Sequence, residues 1–277
     1  MNRPSILITG TSSGFGLMTA RLALERGWAV AATARHPEAI ALPPRDGLVK
    51  LRIDVTEEAS IGAAFAEAES CFGGLDAVVN NAGMAFFGAA EDIPGESLRY
   101  EFETNFFGAV AVTRRALPAM RSRGRGQLVF VSSDWGRTGI PCYSGYCASK
   151  HALEGWAESL LHEVRPFGIG VTLIEPGAYA TGFQSAEPRL KPSESPYGAL
   201  VAAVERGFAE EDGQAPTGEP VAEAILRAAS GGETRLRVPV GIDAIEWCSA
   251  RFRETEEEFI EHLARRYGWP AKAGSRG

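Results

Sequence analysis

Tyr146 and Lys150 lie four residues apart where a helical pattern begins near Ser144. On a helix that spacing puts the phenol and the ammonium on one face. A free phenol, with a pKa of about 10, is a poor proton donor or base at neutral pH. A fixed cation beside it favours the phenolate and moves the pKa toward the working range. Ser133 closes the hydroxyl pair after the apolar, β-branched run 129–131 and can hydrogen-bond the oxygen of a reacting carbonyl or alcohol. A Tyr-x-x-x-Lys pair by itself is more often a surface pair. The order Ser133, Tyr146, Lys150 behind an N-terminal glycine-rich loop is what points to an enzyme.

The elements that must position these groups read as an alternating α/β series. Residues 5–9 (SILIT) form a short apolar strand, followed by the loop Gly10, Thr11, Ser12, Ser13, Gly14, Phe15, Gly16 and a helix that runs to Gly27. Strand, glycine turn and helix N-terminus make an anion site for a pyrophosphate. Gly10 and Gly14 allow the tight turn and close backbone approach, and Gly16 lets helix and strand pack. Strand two, 28–33, is followed by Ala34 and Arg35, with no acid before Glu38. An acid there would repel a 2′-phosphate, whereas Arg35 would pair with it, aided by the Ser13 hydroxyl; this favours NADP(H) over NAD(H).

Strand three, 48–53, leads into Asp54-Val55, where the Asp either meets an adenine edge or caps the turn before a helix over 57–71. Strand four, 75–80, ends on Asn81-Ala82-Gly83, whose small residues let backbone lie against a ribose; alternatively, Asn80 or Asn81 ties the strand end to its neighbours. A helix over 97–120, with Pro118 near its end, carries Asn105 in an apolar stretch. A buried Asn there needs a partner, structural or a water beside Lys150. The helix from Ser144 continues through Leu161, strand six covers 169–174, and Glu175-Pro176-Gly177 breaks the chain. Residues 181–220 are rich in proline, with one helical window at 197–208, and read as a substrate lid. A helix over 219–229, a last strand at 235–238 and a final amphipathic helix over 242–267 complete the chain.

With 277 residues, 45% of them hydrophobic, the chain suits one soluble domain with ample core. A net charge of −7 argues against nucleic acid. No apolar run reaches membrane-spanning length, and the N-terminus lacks a signal-peptide core. Cys71, Cys142, Cys147 and Cys248 have no metal-ligand spacing and read as reduced thiols of a cytoplasmic protein without a bound metal.

Together these motifs resemble the short-chain dehydrogenase/reductase family, in its Tyr-x-x-x-Lys branch, over about residues 5–181. Thr9-Gly10-x-x-x-Gly14-x-Gly16 resembles the cofactor loop, Asp54-Val55 the adenine contact, and Asn81-Ala82-Gly83 the segment after strand four. Asn105, Ser133, Tyr146 and Lys150 fall on the catalytic tetrad, and Pro176, Gly177 and Thr181 on the segment along the nicotinamide. The run YCASKHALEGWAESL with Thr33-Ala34-Arg35 is most similar to NADP-preferring hydroxysteroid and retinol dehydrogenases. The resemblance implies a doubly wound, mainly parallel seven-stranded Rossmann sheet in a single domain. It also implies hydride transfer between NADP(H) and a ketone, aldehyde or secondary alcohol. In it Tyr146 is the acid and base, Lys150 binds the nicotinamide ribose, Ser133 polarises the substrate oxygen and Asn105 holds a relay water. A homodimer or homotetramer is the implied assembly. Asp134 and Trp135 depart from the family pattern beside the serine. A non-catalytic NADP(H)-binding sensor of the same fold is the alternative, disfavoured because Tyr146 and Lys150 are both present.

Overall fold

The computed structural model describes residues 3–181, 195–212 and 215–267. Its strands are β1 (Ser5–Thr9), β2 (Ala29–Ala34), β3 (Leu48–Arg52), β4 (Ala77–Asn80), β5 (Gly126–Val131), β6 (Ile169–Pro176) and β7 (Arg237–Val240). They form one sheet in the order β3-β2-β1-β4-β5-β6-β7, and every pairing is parallel. Helices α1 (Gly14–Glu25) and α7 (Glu219–Ala229) cover one face; α2 (Glu58–Phe72), α4 (Gly108–Arg123) and α5 (Ser144–Val164) cover the other.

Burial on both faces explains why the central strands are apolar throughout rather than alternating. Alternation survives only as a choice of face. Leu7, Val78, Leu128 and Phe130 pack with Phe65, Met120 and Leu153, whereas Ile6, Ile8, Val79 and Val129 pack with Ala20, Ala23, Ile225 and Leu226. After β3 the chain returns past β1 to form β4 on its other side. The loops after β1 and β4 therefore part company at the strand ends and open the crevice where doubly wound folds bind their ligands.

Three expectations need correction. The helix over 97–120 is α3 (Gly95–Phe102), a π-helical turn (Glu103–Phe107) and α4. The wide turn admits the inward Asn105, and Gly108 follows because a Cβ there would lie 2.7 Å from Val55. The final helix is two, α8 (Ile242–Arg253) and α9 (Glu256–Tyr267). Thr255 and Glu258 form a reciprocal capping box that starts the second: Thr255 N donates to Glu258 Oε2 at 2.8 Å and Glu258 N to Thr255 Oγ1 at 3.3 Å. The last strand lies at Arg237–Val240, two residues beyond its expected start.

Of the expected lid, 182–194 and 213–214 lie outside the described residues. Within it α6 (Gly198–Asp212) packs Val201, Val204 and Phe208 into a third apolar cluster with Tyr143, Tyr146, Phe259 and Leu263. Among the described residues no helix is long and apolar enough to cross a membrane.

Candidate active site

The crevice between β1 and β4 is built from backbone and neutral side chains. Gly10 and Gly14 adopt φ of +70° and +55°, the left-handed region that favours glycine. A Cβ on Gly16 would lie 2.4 Å from the Gly10 carbonyl oxygen and 2.5 Å from Asn81 Nδ2. Asn81 staples the loop by donating from Nδ2 to the carbonyls of Thr9 and Gly10 at 2.9 and 3.0 Å. The Thr9 hydroxyl accepts from the backbone N–H groups of Asn81 and Ala82, both at 3.0 Å. Of the two readings of this asparagine pair, the tie therefore holds for Asn81, and Asn80 ties its strand to Thr113 at 3.0 Å.

Around the loop, Ser12 and Ser13 are exposed, and Ser13 stands at the N-cap of α1 without a side-chain cap bond. Phe15 meets Tyr179 edge-on at 5.7 Å, and Thr181 lies over Gly14. The Pro176-Gly177 segment thus ends against the glycine loop. Arg35 is exposed just past β2, with Nη1 3.4 Å from the Tyr100 hydroxyl. Asp54 closes a turn, its Oδ1 accepting from Thr56 N at 3.0 Å and Thr56 Oγ1 at 2.7 Å, and Val55 packs beneath Gly108.

Across the crevice the four reactive side chains converge. Tyr146 is buried in the first turns of α5 and shares a hydrogen bond with Ser133, at the end of β5. Lys150 Nζ lies over the Tyr146 ring, 5.5 Å from its centroid, and donates to the Val131 carbonyl at 2.9 Å. Asn105 accepts from Met84 N at 2.8 Å and donates to Met84 O at 2.8 Å and Ser149 Oγ at 3.0 Å. A Cβ on Gly83 would fall 3.3 Å from Asn105 Oδ1 and 3.6 Å from Lys150 Nζ, so the two polar groups flank one bare glycine.

The charges differ from expectation. Burial pushes the Tyr146 phenol up from its ordinary value, and the Ser133 hydrogen bond opposes this. The Lys150 ammonium sits over the ring and gives one proton to Val131 O. Burial also lowers Lys150 to about 8, against the carboxylates of Glu154 and Glu101, which raise it.

Sequence reasoning missed an acidic floor beneath these groups. Asp134, Glu154 and Glu175 are all buried. Burial raises Asp134 to about 7 despite the Ser133 hydrogen bond, and raises Glu175 to about 7 with help from Glu154. Arg237 binds Glu154 at 2.7 Å and Glu158 at 2.7 Å, and Arg137 lies 3.4 Å from Glu175. Asp243, opening α8, accepts from Ala178 N at 2.6 Å and so holds the Pro176-Gly177 segment. Glu101 accepts from Phe86 N at 3.2 Å beside the start of α5. These acids come from distant elements with no shared spacing. The local signals were Asp134, beside the serine, and Glu154, an acid one helical turn after Lys150.

The sequence model of the family described as short chain dehydrogenase matches residues 4–190. An uncharacterized oxidoreductase, YusZ, of Bacillus subtilis is 46% identical over 193 residues, 67% of this chain and 68% of that one. A 3-ketodihydrosphingosine reductase of Bacteroides thetaiotaomicron is 42% identical over 181 residues, 64% of this chain and 65% of that one. Among solved structures, a short-chain dehydrogenase from Streptomyces avermitilis superposes with a TM-score of 0.82 at 35% identity, covering 96% of this chain and 98% of its own. One from Burkholderia cenocepacia, in complex with NADP, shares the fold at a TM-score of 0.76 and 23% identity, over 97% and 99% of the two chains.

Proposed function

Because the chain belongs to the short-chain dehydrogenase family, we propose that it is an NADP(H)-dependent oxidoreductase acting on a ketone, aldehyde or secondary alcohol, with Tyr146 as its acid and base. The observation that carries this reading is the convergence of Tyr146, Ser133, Lys150 and Asn105 opposite the glycine loop. The crevice fits a nicotinamide dinucleotide on its own features. Side chains at Gly10 and Gly16 would fill the cradle, the N-terminus of α1 faces it, and Lys150 keeps protons beyond the one given to Val131 O. Gly10, Ser12, Ser13, Gly14, Phe15, Gly16, Asp54, Val55, Asn81, Ala82, Gly83, Pro176, Gly177 and Thr181 would hold it, with Arg35 on a 2′-phosphate.

The bound cofactor supplies or accepts a hydride and its electron pair at the substrate carbon. In reduction Tyr146 gives its phenolic proton to the substrate oxygen while Ser133 holds that oxygen. The phenolate, stabilised by Lys150, then takes a proton back through the groups around Asn105. Oxidation runs these transfers in reverse. Trp135 and Tyr143 meet the Tyr146 ring edge-on at 5.9 and 6.4 Å, and Phe208 packs on both of them, so the substrate side is apolar and favours a hydrophobic carbonyl. For the assembly, Leu98, Tyr100 and Phe107, exposed on α3 and the π-helical turn, favour pairing with a second copy in the cytoplasm.

The test is Tyr146→Phe. It should lose about a thousandfold in kcat/KM on a carbonyl panel with NADPH, on the order of general acid catalysis, while NADPH fluorescence still reports binding. Undiminished turnover overturns the reading. So does a wild-type protein that binds NADPH and turns over nothing in the panel, which would favour a nucleotide sensor.

A further inference from the structure

Ser133 has one hydroxyl proton and several partners around it: its Oγ accepts from Trp135 N at 3.2 Å and also shares a hydrogen bond with Tyr146. Asp134 Oδ1 lies 2.9 Å from Ser133 Oγ and takes that proton as a hydrogen bond. The oxygen of a substrate beside Tyr146 needs the same proton, because charge develops there as hydride arrives. Asp134 is 4% exposed and fixed by a second bond, Trp135 N to its Oδ1 at 2.9 Å, so it cannot swing aside into water. We propose that Asp134 is a positioning residue that aims the Ser133 hydroxyl. When protonated it donates to Ser133 Oγ and frees the serine's own proton for the substrate oxygen. When ionised it holds that proton away and sets a negative charge behind the developing one. The inference rests on the oxidoreductase reading above, and it adds a group outside the expected tetrad.

The surroundings of Asp134 allow this switching near neutral pH. Beside it stand Tyr146 and Cys147 from α5, Asp243 and Cys248 from α8, and Glu175 from β6, with Arg137 on its own turn. Arg137 is turned toward Glu175 and stacks over Phe252 at 4.4 Å. Burial and the neighbouring carboxylates accordingly raise Asp134 to about 7. The same transition state serves both directions, so the requirement for neutral Asp134 applies to reduction and oxidation alike.

The experiment is a pH profile of kcat/KM for carbonyl reduction in wild type, Asp134→Asn and Asp134→Ala. Wild type should fall about a hundredfold as pH rises through and above 7, the scale of losing one aimed donor. Both variants should be flat across that interval and decline only at higher pH, where Lys150 titrates. A merely structural Asp134 would lower the rate without changing the shape of the profile, and matching profiles overturn the proposal. A second measurement needs no turnover. Infrared titration of the wild type should show a protonated carboxyl that is lost near neutral pH, with a band shifted in Ser133→Ala; a spectrum indifferent to that substitution also overturns it. Active Tyr146→Phe would instead sink the underlying reading, so the two failures are distinguishable.

Discussion

The two walls of the crevice are made of different materials. On the side of β1 and β4, position is set by glycines and by hydrogen bonds among Thr9, Asn81 and backbone, all neutral. On the side of β5, β6 and α5, the same small volume holds Asp134, Lys150, Glu154 and Glu175, all buried. A neutral, backbone-lined wall costs little to keep in water or against a ligand. The charged wall is costly to desolvate and is held by Arg137, Arg237 and a few hydrogen bonds among the described residues. The first wall therefore defines a shape, and the second stores proton affinities shifted toward neutrality, which is what proton transfer at pH 7 requires.

If that division is right, the charged wall should be the fragile one. Arg237→Met leaves Glu154 without its 2.7 Å partner and removes a cation 3.9 Å from Glu175. We expect a loss of about 3 kcal/mol at pH 8, the scale of breaking a buried pair, read from urea unfolding. The loss should shrink at pH 5. Glu175 is raised from 4.5 to about 7 by burial, so the folded protein keeps a proton that the unfolded chain has already released. Wild-type stability then falls as pH rises across that window and levels above it. An Arg237→Met cost that is small, or equal at both pH values, would mean the acids are not strained by their burial.

The neutral wall should instead fail by shape. Gly16→Ala puts a methyl within 2.4 Å of the Gly10 oxygen, which must move, and the loop's grip on a pyrophosphate moves with it. A destabilisation of about 2 kcal/mol, insensitive to pH, is expected for such overpacking, together with weaker NADPH binding. Gly62→Ala on α2, where a Cβ meets nothing within 4 Å, is the control and should be neutral or mildly stabilising. If the two variants behave alike in melting and titration, the close approach at Gly16 is not what shapes the loop.

The same contrast decides what could be read from sequence. Glycines at the loop after β1 announce themselves, because the φ values at positions 10 and 14 favour glycine and a Cβ at 16 would collide with the Gly10 oxygen. The run of strands and the shared face of Tyr146 and Lys150 follow from apolar runs and helical spacing, and the resemblance implied the parallel sheet, so these were legible. The acidic floor was not. Glu154, Glu175 and Asp243 are ordinary carboxylates on three separate elements, and only the fold brings them beneath Lys150 and Asp134. The electrostatic expectation for Tyr146 points the wrong way for the same reason, since burial, which spacing does not reveal, is the largest influence on its phenol. The missed boundary at Thr255 differs: its T-x-x-E capping box was visible in the chain, and the amphipathic pattern running through it concealed the break.

The smallest effect lies at the rim of the neutral wall, where a single charge is asked to choose the cofactor. Arg35 follows β2 directly, is exposed, and among the described residues meets the Tyr100 hydroxyl at 3.4 Å. The guanidinium can therefore turn to a 2′-phosphate without breaking an ion pair, and no carboxylate precedes Glu38 to repel that phosphate. An exposed charge-assisted contact is worth about 1–2 kcal/mol, so Arg35→Ala should weaken NADPH roughly tenfold and leave NADH within about twofold in fluorescence titrations. The loss should diminish in high salt, as a screened surface interaction does. Equal weakening of both nucleotides would place Arg35 among the groups that shape the wall, and the charge that selects the cofactor would have to be sought elsewhere along the crevice.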